Sequence, residues 1–141
     1  MITASSITNI HKFDVQMYAN NIRMMDCVNL LESHGKNADA FQITLRDGEN
    51  IVDLITSGIT GDAYFTDANG TTTTIDGTPY NTIETPYNTV NGSYMEFKLT
   101  QACYSVKGPC RIVFVLKNET GFITTENYEN RAVMIITGNV V

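Results

Sequence analysis

Tryptophan is absent from this 141-residue sequence, and proline, histidine and cysteine number only three, two and three. Charged residues are also scarce, at 17% against about 25% in an average globular chain. Nine Lys and Arg stand against fifteen Asp and Glu, giving a net charge of −6. So few cations exclude the basic footprint that binding a nucleic-acid backbone requires. Long apolar runs are missing too. No window approaches the roughly 20 apolar residues of a membrane-spanning helix. The hydrophobic content of 43% nevertheless excludes a disordered chain.

The scarcities extend to chemistry. Cys27, Cys103 and Cys110 form an odd set without a Cys-x-x-Cys pair. They read as free, buried thiols of a chain made in a reducing compartment. A Cys103–Cys110 bridge is conceivable, but their spacing does not require it. His11 and His34 lie in polar stretches and read as solvated, without the spacing of metal ligands. Asp67-Ala68-Asn69-Gly70 echoes part of a calcium loop but lacks the later acidic ligand. Neither a Gly-x-Ser-x-Gly elbow nor a phosphate-cradling glycine loop occurs. The sequence therefore offers no catalytic, cofactor-binding or metal-binding set, and the expectation is a protein that is not an enzyme. Residues 1–8 lack the basic and apolar regions of a secretory signal.

Thr, Asn, Gly and Ser take the place of charge. A chain of this length forms one domain that buries roughly 68–70% of its unfolded surface. Its apolar residues alternate with period two. Met95, Phe97 and Leu99 face one way, while Tyr94, Glu96 and Lys98 face the other. Arg111 to Lys117 is a continuous apolar run framed by cations, which suits a central strand buried on both faces, and Ala132 to Thr137 is similar. Further strands are expected at Phe13 to Ala19, Ile22 to Leu30, Phe41 to Arg46, Ile51 to Ile55 and Asp62 to Thr66. Met24 to Ser33 fits a helical stripe about as well as a strand and is read as a strand. Thr100 to Tyr104 reads as a single helical turn before Gly108-Pro109. Asp47-Gly48, Asn69-Gly70, Asp76-Gly77 and Asn91-Gly92 are pairs that accept positive φ, as tight hairpins require. The expected fold is all-β, an antiparallel sandwich of immunoglobulin-like or jelly-roll-like type. It comprises a single domain over residues 1–141, with a less regular N-terminal segment 1–12 and a protruding loop 78–92.

That loop contains a tandem repeat, Thr78-Pro79-Tyr80-Asn81-Thr82-Ile83 followed by Thr85-Pro86-Tyr87-Asn88-Thr89-Val90. Each proline removes a ladder donor, so the stretch is expected to be a protruding loop or a sheet edge. Tyr80 and Tyr87 are its candidate contact residues, because tyrosine offers large area at low entropy cost.

Gly58 to Thr78, including Ala63-Tyr64-Phe65-Thr66-Asp67-Ala68-Asn69-Gly70-Thr71, and Gln101-Ala102-Cys103-Tyr104-Ser105-Val106-Lys107-Gly108-Pro109, which leads into an apolar strand, carry a resemblance to a known family. It is the group of bacteriophage virion domains related to the N-terminal domain of phage baseplate upper proteins and found in head-fibre or capsid-attached proteins. The resemblance runs from about Ile51 to the C-terminus and is most specific at Ala102 to Pro109. Lys107 replaces the usual proline, the Thr78–Val90 duplication resembles an insertion, and the first forty residues match weakly. The resemblance implies a β-sandwich without catalysis that docks onto other virion proteins, whether major capsid, fibre or baseplate components, or copies of itself. Asn69, Gly70, Cys103, Tyr104, Gly108 and Pro109 are expected to be scaffold residues in these blocks.

The leading expectation is a virion structural protein, a capsid decoration or head-fibre base assembled in the host cytoplasm. The end of the chain just after its last strand tilts this expectation toward the capsid. A baseplate or tail adaptor is the close alternative. A carbohydrate-binding module for the host surface follows, through Tyr80 and Tyr87, and a glycan-cleaving enzyme is third.

Overall fold

The computed structural model describes residues 9–17, 23–30, 39–84, 89–119, 121–122 and 132–140. Eleven strands occur among them: β1 Asn9–Gln16, β2 Arg23–Leu30, β3 Asp39–Asp47, β4 Asn50–Ile51, β5 Thr60–Thr66, β6 Thr72–Asp76, β7 Thr78–Glu84, β8 Thr89–Lys98, β9 Gly108–Asn118, β10 Gly121–Phe122 and β11 Ala132–Val140. They form two sheets. The first has the order β1-β3-β8-β7, with β4 on β3, and the second β2-β11-β9-β5-β6, with β10 on β9. The expected all-β sandwich is the fold.

Alternation builds the core. Phe13 and Val15 of β1, Phe41, Ile43 and Leu45 of β3, and Met95 and Phe97 of β8 point inward from the first sheet. Ala63, Phe65, Ile112, Phe114, Leu116 and Ile136 meet them from the second. Phe114 stands at the junction, 5.4 Å from Phe41 and 5.1 Å edge-on from Phe97 between ring centroids. Such contacts add to the burial of large apolar surfaces. β9 lies between β11 and β5 and is buried continuously from Ile112 to Leu116. Its Val113 and Val115 join Ile135 in a smaller cluster, against which Tyr64 packs.

Most pairs are antiparallel, but β1–β3 and β2–β11 are parallel. A parallel pair needs a crossover. For β1 and β3 the crossover is the excursion through β2, which belongs to the other sheet. Residues 9–12, expected to be irregular, are strand, because β1 keeps an unbroken register with β3 from Asn9↔Asp39 to Gln16↔Arg46.

Other expectations need correction. Ile51 to Ile55 is not a strand beyond Ile51. Asp53 accepts hydrogen bonds from the Thr56 backbone and hydroxyl, which closes a turn at once. The segment 78–92 is not a protruding loop, since β7 and β8 pair along most of it and β7 is the sheet edge. Of the four X-Gly pairs, Gly48 and Gly70 have positive φ, whereas Gly77 and Gly92 do not. Gly92 lies inside β8. Gly77 is required for space, because a Cβ there would lie 2.8 Å from Met95 Cγ and Sδ and from Phe97 Cε1. Gln101–Tyr104 is the expected single turn, a short 3₁₀ helix.

Candidate functional site

Three places on the fold concentrate polar chemistry. The first is internal. β1 and β3 place His11 beside Asp39, with His11 Nε2 2.9 Å from Asp39 Oδ1. The turn after β8 brings Tyr104 to the other carboxylate oxygen, where its hydroxyl donates to Asp39 Oδ2 at 2.8 Å. Asp39 is buried, and its own carbonyl accepts from the Leu99 amide. His11 is not solvated as expected. Its side chain is 16% exposed and its ring stacks on Phe41 at 4.7 Å.

The electrostatics of this cluster hold protons in place. Burial, with the Asp39 bond and charge added, pushes the Tyr104 phenol far above its ordinary value. Burial also raises Cys103, and it pushes Cys110 up to about 11. Both cysteines are free thiols, so the conceivable bridge is not formed. A nucleophilic cysteine needs the opposite, a lowered pKa and access. The arrangement therefore acts as a lock between β1, β3 and the 3₁₀ turn. Among the described residues no three His, Cys, Asp or Glu side chains converge as metal ligands.

The second place is the junction of the two sequence blocks. Asp67 Oδ1 accepts from the Asn69 and Thr71 amides, and Gly70 donates to the Asp67 carbonyl. That side chain fixes the hairpin, while Gly70 supplies its positive φ of 82°. Gly108, at φ 118°, starts β9 directly against it; a Cβ there would lie 3.4 Å from Ala68 Cβ. Thr66, Asp67, Ala68, Pro109, Cys110 and Arg111 line a shallow depression of about 320 Å³. Asn69 and Gly70 thus lie in the hairpin turn, Cys103 and Tyr104 in the core, and Gly108 and Pro109 at the start of β9.

The third place is the outer face of the first sheet. Tyr80 on edge strand β7 is 40% exposed and stacks on Tyr94 of β8, with ring centroids 5.5 Å apart. Beside them Lys12, Asp14, Gln42, Thr44, Thr82 and Tyr94 line a groove of about 280 Å³. Gln42 Nε2 donates to Glu96 at 2.8 Å, and Arg46 Nε donates to Asp14 at 2.9 Å. Of the two candidate contact residues, Tyr80 is exposed here and stacks on Tyr94, whereas Tyr87 lies outside the described residues, as does His34. Sequence reasoning missed Asp39 and Tyr94. The β7–β8 alternation held a signal for Tyr94, which follows Ser93 on the outward phase; Asp39 had none before β3 was known to begin there.

No protein-family model matches the sequence, and no curated protein is similar to it. Among solved structures, the fold is similar to the N-terminal domain of phage TP901-1 ORF48, at 10% identity and a TM-score of 0.48, covering 95% of this chain and 98% of that one.

Proposed function

We propose that this chain is a non-enzymatic structural component of a bacteriophage virion that docks onto other virion proteins. One observation carries the reading. The two blocks that resemble phage virion domains, separated by 22 residues in sequence, come together where the β5–β6 hairpin meets the start of β9, with Thr66 paired to Arg111 and Ala68 beside Gly108. The buried lock supports a scaffold role for this cluster, because the Asp39 carboxylate is taken up by His11 and Tyr104 and burial keeps the Tyr104 phenol protonated.

Mass spectrometry of purified, gradient-banded virions tests the proposal. The chain should be present at a fixed copy number, and its absence from intact particles refutes a structural role. Immunogold labelling then assigns its place. Label on the head identifies a capsid decoration or head-fibre base, and label at the tail tip a baseplate adaptor.

A further inference from the structure

We infer that the outer face of the first sheet carries a binding site for a neutral oligosaccharide, in the groove lined by Lys12, Asp14, Gln42, Thr44, Thr82 and Tyr94. This goes beyond the virion reading and stands or falls separately from it.

The groove crosses four strands. β1 supplies Lys12 and Asp14, β3 supplies Gln42 and Thr44, β8 supplies Tyr94, and β7 supplies Thr82. Its opening has a local cause. Thr82 pairs with Gly92 in the β7–β8 register, so β8 presents no side chain at the position next to Tyr94 on that face. The Tyr94 ring is held by its stack on Tyr80. An aromatic face fixed in advance offers an apolar plane to a flat, C–H-bearing ring at little entropic cost. Around it are two hydroxyls, an amide, an ammonium and a carboxylate, donors and acceptors in the mixture that a polyol needs. The amide is oriented by Glu96 and the carboxylate by Arg46.

Charge decides the class of sugar. The groove holds one cation and one anion, so it favours neither a phosphorylated nor a sialylated ligand. Its volume of about 280 Å³ lies just below the range of drug-sized ligand sites, about 300–1,000 Å³. It therefore fits one or two sugar rings of a longer chain running on across the sheet.

Saturation-transfer NMR with the full chain and a panel of cellobiose, maltotriose, lactose, N,N′-diacetylchitobiose and 3′-sialyllactose tests the site. Transfer to at least one neutral member is expected, and lactose should not bind more weakly than its sialylated form. Tyr94→Ala should weaken binding by about tenfold or more, the equivalent of about 1.4 kcal/mol. Thr82→Arg, at an exposed rim position, should block the groove while the circular dichroism stays native. Thr74→Ala on the second sheet should bind as the parent does. No transfer to any panel member overturns the inference. So does binding that survives Tyr94→Ala and Thr82→Arg, or a preference for the sialylated sugar. Loss of virion incorporation in Thr82→Arg without any sugar binding would mark this face as a protein interface instead, and would equally overturn it.

Discussion

Replacing Tyr104 with phenylalanine removes one oxygen from the core and keeps the ring. In the native protein that oxygen donates to Asp39 Oδ2 at 2.8 Å, and both residues are buried. A hydrogen bond to a charged group contributes about 1.5–3 kcal/mol net, and no cavity adds to its loss because the ring remains. The variant should therefore be less stable by about 1.5–3 kcal/mol near neutral pH. The pH dependence supplies a second, sharper test. Burial and the Asp39 bond raise the Tyr104 phenol above its ordinary value of 10. Above that pH the unfolded chain has released the proton while the folded chain retains it, so stability falls as pH rises. The contribution is complete below pH 10 and is lost above it, at about 1.4 kcal/mol per pH unit for one group. Phenylalanine has no proton to lose at this position, and the raised Cys103 and Cys110 titrate alike in both proteins. The stability gap between parent and variant should hold from about pH 7 to 9 and narrow by about 1.4 kcal/mol between about pH 9 and 11. Urea denaturation followed by circular dichroism measures it. A gap below about 0.5 kcal/mol at neutral pH, or one that stays constant or widens above pH 10, refutes the reasoning.

Asp62 and Asp76 stand opposite each other in the β5–β6 ladder, and burial followed by the Asp76 charge raises the Asp62 carboxyl. The folded state therefore holds its proton longer, and stability drops as pH rises through the carboxylate range. Asp76→Asn should stabilise the protein at neutral pH by about 0.2–1 kcal/mol, a gain that fades below about pH 4; denaturation midpoints at the two pH values check both points. Gly77→Ala should cost about 1–3 kcal/mol through overpacking on Met95 and Phe97. Gly48→Ala, whose Cβ meets open space at φ 64°, should cost about 1 kcal/mol from backbone conformation alone. Equal losses in the two glycine variants would contradict this ordering. In a Cys27→Ser background, Ellman's reagent should label neither Cys103 nor Cys110 until denaturant is added, because both thiols are buried and protonated. Rapid labelling of the native protein would show that the core opens there.

Period-two alternation was enough to read β3, β5 and the Tyr94–Lys98 half of β8, because a strand with one buried face cannot slip by one residue without reversing it. The continuous apolar runs at Ile112 to Leu116 and at Ala132 to Thr137 marked β9 and β11 by a different signal, burial on both faces. Pairing direction was not legible, since alternation is identical in parallel and antiparallel ladders. The crossover of the chain to the other sheet at β2 then made β1–β3 parallel. Glycine carries two meanings that look alike in sequence. Gly70 is there for its φ, whereas Gly77 is there because Met95 and Phe97 leave no room for a Cβ. His11 misled for a related reason. Its adjacent residues Ile10 and Lys12 face outward, and its own phase is that of Phe13 and Val15.

The most specific of the sequence blocks has a structural explanation that constrains its use. Tyr104 sits in the turn by which the chain leaves the first sheet after β8 and enters the second at β9. Its hydroxyl ties that crossover to Asp39 at the start of β3, and His11 on β1 ties to the same carboxylate. A carboxylate taken out of water at this point must be met by donors, so aspartate, tyrosine and histidine depend on one another. In this chain the anchor serves the crossing between the sheets and touches no exposed surface. The Cys103-Tyr104 block therefore speaks for the architecture. What distinguishes one partner or ligand from another has to lie on surfaces outside it. There the two sheets differ. The outer face of the first pairs its charges, Arg46 with Asp14 and Lys98 with Glu96, around two stacked tyrosines. On the β5–β6 hairpin of the second, threonine hydroxyls pair across the ladder, Thr66 with Thr72, beside the like-charged Asp62 and Asp76. A face that sets two carboxylates opposite each other carries an unfavourable contact that a cation from a neighbouring protein would relieve. A face with balanced charge and a fixed aromatic plane has no such bias and suits a neutral ligand.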